Sequence, residues 1–269
     1  MNSSQSIWVR LFAFTFALLF LMSSCKKDEV DPLQVACLDD FNYDNGTDEG
    51  PANWLYYCVD DGIANECGST SRQSPINIFG ALHNPVLQAL STAYTSSTTE
   101  IINNGHTIQF NYKGTGTLSF QGSDYDLLQF HFHANSEHTV DGNYSPLEAH
   151  LVHRNAFGSL SVIGVLFEIG AENTFLDQFL SELPTEEGEM YIDADLEYLA
   201  SGLLPANKSY YNYDGSLTTP PCSEIVEWIV MENPVEISQA QLDVFAEILG
   251  YNFRPVQPLG ERTIGLFTE

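Results

Sequence analysis

The stretch Gln129-Phe130-His131-Phe132-His133-Ala134-Asn135-Ser136-Glu137-His138 carries three of the chain's seven histidines. In an extended strand, side chains two apart share a face, so Gln129, His131 and His133 point one way while Phe130 and Phe132 point the other. Two imidazoles on one face are half of a metal site. A third ligand from a neighbouring strand would give the three-ligand, one-open-position set of catalytic zinc. His150 and His153 are the candidates, but they have opposite parity within 147–153 and cannot both face one point. His150 shares its face with Glu148. A metal-bound histidine commonly gives its second N–H to an oxygen acceptor, a part that Glu148 could play for His150 and Gln129 for His131. His138 and His153 read as buried, hydrogen-bonded histidines, and His83, beside Asn84-Pro85, as a loop residue.

Alternating runs at 107–112, 117–120, 127–133, 147–153, 160–167 and 225–231 are separated by turn residues and predict strands that would position these groups. Helical patterning is confined to 173–183 and 238–249. In the second of these, Ser238 can cap with Gln241 three positions on, and Gly250 follows the end. With 269 residues, 43% hydrophobic, and no repeat or linker after Cys37, the expectation is one mainly β domain over 37–269 with peripheral helices. A formal charge of −27 excludes nucleic acid and anionic membrane surfaces as partners.

The start of the chain differs in kind. Arg10, the apolar run Leu11 to Met22 and then Ser23-Ser24-Cys25 read as a signal peptide over 1–24, too short for an ordinary span. LFLMSSC resembles a bacterial lipobox, making Cys25 the lipidated first residue of the mature chain and 25–36 a charged tether. The membrane is then met only through the lipid anchor, at a Gram-negative envelope membrane on its periplasmic or surface side. Five cysteines in an exported chain leave one unpaired; giving Cys25 to lipid leaves Cys37, Cys58, Cys67 and Cys222 for two bridges.

His131, His133 and Glu137 also fit the H-x-H-x-x-x-E of cupins, but Tyr144 stands where that motif needs glycine, and no P-x-G-x-x-H run follows. The chain as a whole resembles the α-class carbonic anhydrases instead, from about Phe41 to Leu266. The resemblance is carried by RQSPINI (72–78), NNGH (103–106), QFHFH (129–133), SEHTVDG (136–142), EAHLVH (148–153), SLTTPPC (216–222) and RPVQPL (254–259), in that order. It implies a single domain around a twisted, largely antiparallel sheet of about ten strands. It implies zinc-dependent reversible hydration of carbon dioxide to bicarbonate and a proton, by zinc hydroxide attack with a histidine proton shuttle. Inhibition by primary sulfonamides and anions follows from the same likeness. The other reading is a non-catalytic binding module on the same fold.

Residue by residue, the resemblance makes His131, His133 and His150 the zinc ligands, with Gln129, Glu148 and the backbone near Asn252 as their acceptors. Thr218 and Glu137 become the pair that orients the nucleophile, and His106 the proton shuttle. Val152, Val162, Leu217, Thr219 and Trp228 line the substrate pocket, although each apolar residue among them, seen singly, would read as core. Tyr43, Asn104 and Gln109 become the polar lining of the cleft. Cysteines at comparable places in exported relatives imply a Cys67–Cys222 bridge, leaving Cys37 to pair with Cys58. Ala134 departs from the pattern, since many members carry tryptophan there.

The lipobox reading has a direct test. Cys25→Ser is expected to move the protein from the membrane pellet to the soluble fraction of fractionated cells; an unaltered protein with a free N-terminus downstream of Cys25 would overturn it.

Overall fold

The computed structural model describes residues 41–57 and 64–269. The leader, the tether, Cys25, Cys37 and Cys58 lie outside the described residues. Ten strands form the main sheet: β1 (Leu82–His83), β2 (Ser97–Asn103), β3 (Ile108–Asn111), β4 (Ser123–His133), β5 (Glu148–Arg154), β6 (Leu160–Ile169), β7 (Met190–Tyr198), β8 (Tyr210–Gly215), β9 (Val226–Met231) and β10 (Gly265–Phe267). Their spatial order is β7-β2-β3-β4-β5-β6-β9-β8-β10-β1. Neighbours are antiparallel except β6 with β9 and β10 with β1. Ser91–Tyr94 and Gly116–Phe120 extend the sheet beside β4, Val235–Ile237 pairs with β6, and 77–78, 139–140 and 143–144 form a small second sheet. His83, read as a loop residue, lies instead in the short edge strand β1, where the backbone pairs in parallel with β10.

The alternation in β4 decides which chemistry goes where. Phe130 and Phe132 enter the main core with Phe110, Phe175, Phe179 and Tyr198. His131 and His133 occupy the opposite face, where a second apolar cluster contains Val152, Val162, Tyr213 and Trp228. Register places His150 directly across from His131, and Glu148 across from His133. The next row runs Gln129, Val152, Val162, Trp228 and Tyr213 across β4, β5, β6, β9 and β8.

Helix α2 (Gln239–Leu249) forms where expected, with a reciprocal Ser238–Gln241 capping box. The run 173–183 is not one helix. Asn173 caps a four-residue turn, α1 (Thr174–Asp177), and 180–182 continues as a 3₁₀ turn with i→i+3 bonds from Phe179 N to Leu176 O and Glu182 N to Phe179 O. This tighter winding still buries Phe175, Leu176 and Phe179.

The strand register shifts between Val152 and His153, and His153 turns towards the face of Tyr94, away from His150. Its Nε2 lies 2.8 Å from the Tyr94 hydroxyl and its Nδ1 3.2 Å from Ser161 O. Burial lowers its pKa from 6.5 to about 4, against the pull of the Ser161 and Leu151 carbonyls. Below pH 6.5 the unfolded chain therefore binds a proton that the folded protein refuses until about pH 4. Stability from this group is complete above the unfolded value and is lost as pH falls towards the folded one. Relative to a His153→Gln variant, urea denaturation is expected to show the protein losing on the order of 2 kcal/mol between pH 7 and pH 5. Parallel pH profiles for the two proteins would contradict this.

Candidate metal centre

Each of the three facing imidazoles has one nitrogen occupied by an oxygen. His131 Nδ1 lies 2.8 Å from Gln129 Oε1, His133 Nδ1 2.7 Å from Asn252 O, and His150 Nε2 2.9 Å from Glu148 Oε1. The remaining nitrogens are Nε2 of His131, Nε2 of His133 and Nδ1 of His150, and the ligand atoms of the triad lie within 4.8 Å of one another. His133 Nε2 is buried and has no hydrogen-bond partner, an arrangement that costs free energy unless something fills it. Three borderline nitrogen donors, each oriented from behind, fit zinc.

The electrostatics support neutral ligands on β4. Burial, reinforced by His133 and His150, holds His131 well below the ordinary histidine value. Burial also lowers His133 despite the nearby Glu137. His150 is buried too, but the Glu148 carboxylate beside its Nε2 reverses the effect and raises it.

Glu148 is fully buried. Oε2 accepts from the backbone N–H of Glu137 and His138, at 2.8 and 2.9 Å, and Oε1 from His138 Nδ1 and His150 Nε2, at 2.7 and 2.9 Å. Burial opposes its charge, yet His138 and His150 hold its pKa well below the ordinary carboxylate value. Gly164 makes room for it, since a Cβ there would lie 2.9 Å from Oε1. Beyond it, His138 Nε2 meets the Tyr213 hydroxyl at 2.6 Å, and that hydroxyl meets Ser74 Oγ at 3.0 Å. Ser74 in turn exchanges hydrogen bonds with Ser216: the Ser74 N–H donates to Ser216 Oγ, and the Ser216 N–H to Ser74 Oγ.

Glu137 is buried beside the triad. Oε1 accepts from the Arg254 N–H at 2.8 Å. Oε2 lies 3.7 Å from His133 Nε2 and 3.9 Å from His150 Nδ1 and has no hydrogen-bond partner. The expected donation from Thr218 is thus not formed at Oε2. Thr218 is buried, and Thr219 beside it half-buried. Their loop is held by Trp228 Nε1 donating to Ser216 O and by the Cys67–Cys222 disulfide, which spans 155 residues. Arg254 packs over Trp54 and donates to Gln73 Oε1 and to the carbonyls of Ser74 and Cys67.

Val152, Val162 and Trp228 belong to one apolar cluster, with Leu217 packed against it. Tyr43 is buried against Trp54, burial and Glu137 raising its pKa. Gln109 faces His131 in register and donates to Asn111. Asn104 Oδ1 accepts from the N–H groups of His106 and Thr107, closing the turn that carries His106, whose ring stacks on Phe41 at 3.9 Å between centroids. Ala134 is buried, its N–H donating to Asn252 Oδ1. Sequence reasoning assigned no role to Phe41, Ser74, Tyr213 or Arg254. Arg254 carried a signal, being one of nine basic residues in the chain and the first of the RPVQPL run.

The family described as eukaryotic-type carbonic anhydrase matches residues 49–267. The chain belongs to this family, the α-class carbonic anhydrases. A carbonic anhydrase of Pectobacterium atrosepticum is 36% identical over 253 residues, covering 93% of this chain and 98% of that one. An α-carbonic anhydrase from Thermovibrio ammonificans, solved with the inhibitor sulfanilamide, superposes with a TM-score of 0.78 at 40% identity, covering 84% of this chain and 98% of that one. Dioscorin, solved with ascorbate, has the same TM-score of 0.78 at 29% identity, covering 86% and 99%.

Removing one imidazole of the triad is expected to abolish tight metal binding. His150→Ala should lose most bound zinc by elemental analysis, while His153→Gln, altered on the other face of the same strand, should keep it. Full zinc in the His150 variant would refute the assignment.

Proposed function

We propose that this carbonic anhydrase interconverts carbon dioxide and bicarbonate with zinc held by His131 Nε2, His133 Nε2 and His150 Nδ1. The observation that carries the reading is the convergence of three imidazole nitrogens whose ring partners are each already engaged by an oxygen. Zinc with three protein ligands supplies a nucleophile from water at neutral pH, an effect for which carbonic anhydrase is the standard example.

The protein's own residues do the rest. Glu137 accepts only, and its Oε1 is already taken by the Arg254 N–H. Oε2 has no donor in the structure; were the Thr218 hydroxyl to turn to it, its proton would be committed and its oxygen could only accept, which would fix the direction of the next hydrogen bond. Val152, Val162, Leu217 and Trp228 offer an apolar wall suited to a substrate with no charge and no proton to donate. Thr219 adjoins that wall, and Tyr43, Asn104 and Gln109 make up the polar side. His106, half-buried on its turn, relays the proton between the site and buffer, a task that imidazole chemistry suits. Primary sulfonamides and simple anions would inhibit by competing at the metal. By its leader the enzyme would be tethered to the envelope through lipidated Cys25.

A non-catalytic module on this fold has no need of three oriented imidazoles above a saturated carboxylate, and their retention here favours the enzyme. Carbon dioxide hydration measured with and without a chelator separates the two readings.

Capture of carbon dioxide and export of the proton are separate steps, so the relay governs turnover and leaves capture alone. His106→Ala is expected to lower kcat about tenfold, leave kcat/KM within about twofold, and recover with added imidazole. A parallel fall in both constants would make His106 structural.

A further inference from the structure

Helix α2 ends at Gly250, whose φ of 57° turns the chain, and two residues later Asn252 is buried between two elements. Its backbone oxygen receives His133 Nδ1. Its side chain makes three further bonds. Oδ1 accepts from Ala134 N–H at 2.8 Å; Nδ2 donates to Phe132 O at 2.9 Å and to His106 O at 3.1 Å. The amide orientation is unambiguous, since the flipped group would set its oxygen against two carbonyls and its NH₂ against an N–H.

We propose that the Asn252 side chain is a positioning group that couples the turn carrying His106 to the metal-ligand strand. This rests on the reading of His106 as the proton relay. The carboxamide spans the residues on both sides of His133 and reaches the carbonyl of His106 from the same atom that holds Phe132. The N–H of His106 is held by Asn104, which belongs to the same turn and moves with it. The bond from Asn252 comes from a residue 146 positions away, so it adds a tie at His106 itself to the one that Thr107 makes with the ligand strand. Thr107 Oγ1 donates independently to Phe132 O at 2.6 Å, and β3 keeps its register with β4. The fold and the backbone support of His133 therefore do not depend on the carboxamide.

The test uses zinc-loaded Asn252→Ala and the shape-conserving Asn252→Asp, each also combined with His106→Ala. In a buffer too large to enter the cleft, each single variant is expected to lower kcat several-fold with kcat/KM within about twofold, and imidazole should restore turnover. On the His106→Ala background the Asn252 change should add nothing, because both act on one step. In the metal-free protein, hydrogen exchange at the amides of His106 and Thr107 should quicken in Asn252→Ala. Multiplying losses in the double variants, or kcat/KM falling together with kcat, would overturn the proposal. If His106→Ala alone leaves kcat unchanged, the relay reading fails; unchanged exchange at His106 and Thr107 fails the anchoring itself.

Discussion

The Glu148 carboxylate is the fixed point of the structure. A buried ionised carboxylate is tolerated only when its lone pairs are filled, and here four N–H donors fill them. Two of those donors are side chains and two are backbone groups of the segment that contains Glu137. One charge therefore orients His150, closes the loop after β4 and fixes the proton on His138 Nδ1. It also explains Gly164, which sits on the same row as His131 and His150 and admits the carboxylate by lacking a side chain.

From that point the order spreads by hydrogen bonds rather than by apolar packing alone. His138 passes its other nitrogen to Tyr213, Tyr213 meets Ser74, and Ser74 is laced to Ser216 at the root of the Thr218 loop. Arg254 works from the other side, tying the segment around Cys67 and Ser74 while its backbone N–H holds Glu137. The disulfide joins that segment to Cys222 and the Ser74–Ser216 pair joins it to Ser216, so the loop that carries Thr218 is held at both ends. The apolar wall needs fewer, because Val152, Val162 and Trp228 are neighbours in register.

What could be read in the sequence was what period and parity decide. Strand alternation alone separated the phenylalanines from the histidines of QFHFH and set His150 apart from His153. The capping box of α2 was legible for the same local reason. The single helix expected at 173–183 failed because an apolar period near 3.6 does not distinguish an α-helix from an α turn followed by a 3₁₀ turn. The parts that stayed hidden are contacts between residues far apart in the chain: His138 with Tyr213, Arg254 with Ser74, and the Asn252 carboxamide with His106. No spacing announces these, since they follow from how the strands are ordered. The family resemblance supplied the roles of Thr218 and His106, which the residues alone did not.

The triad also hides an asymmetry of reach. Two of its members offer the far ring nitrogen, and His150, the one backed by Glu148, offers the near one. The near nitrogen sits about where an asparagine oxygen would sit, and the far nitrogen about where a glutamine oxygen would. Three positions that look interchangeable in a sequence thus have different tolerances. Drift at His150 that preserves a ligand atom would run through asparagine, whereas at His131 and His133 it would run through glutamine.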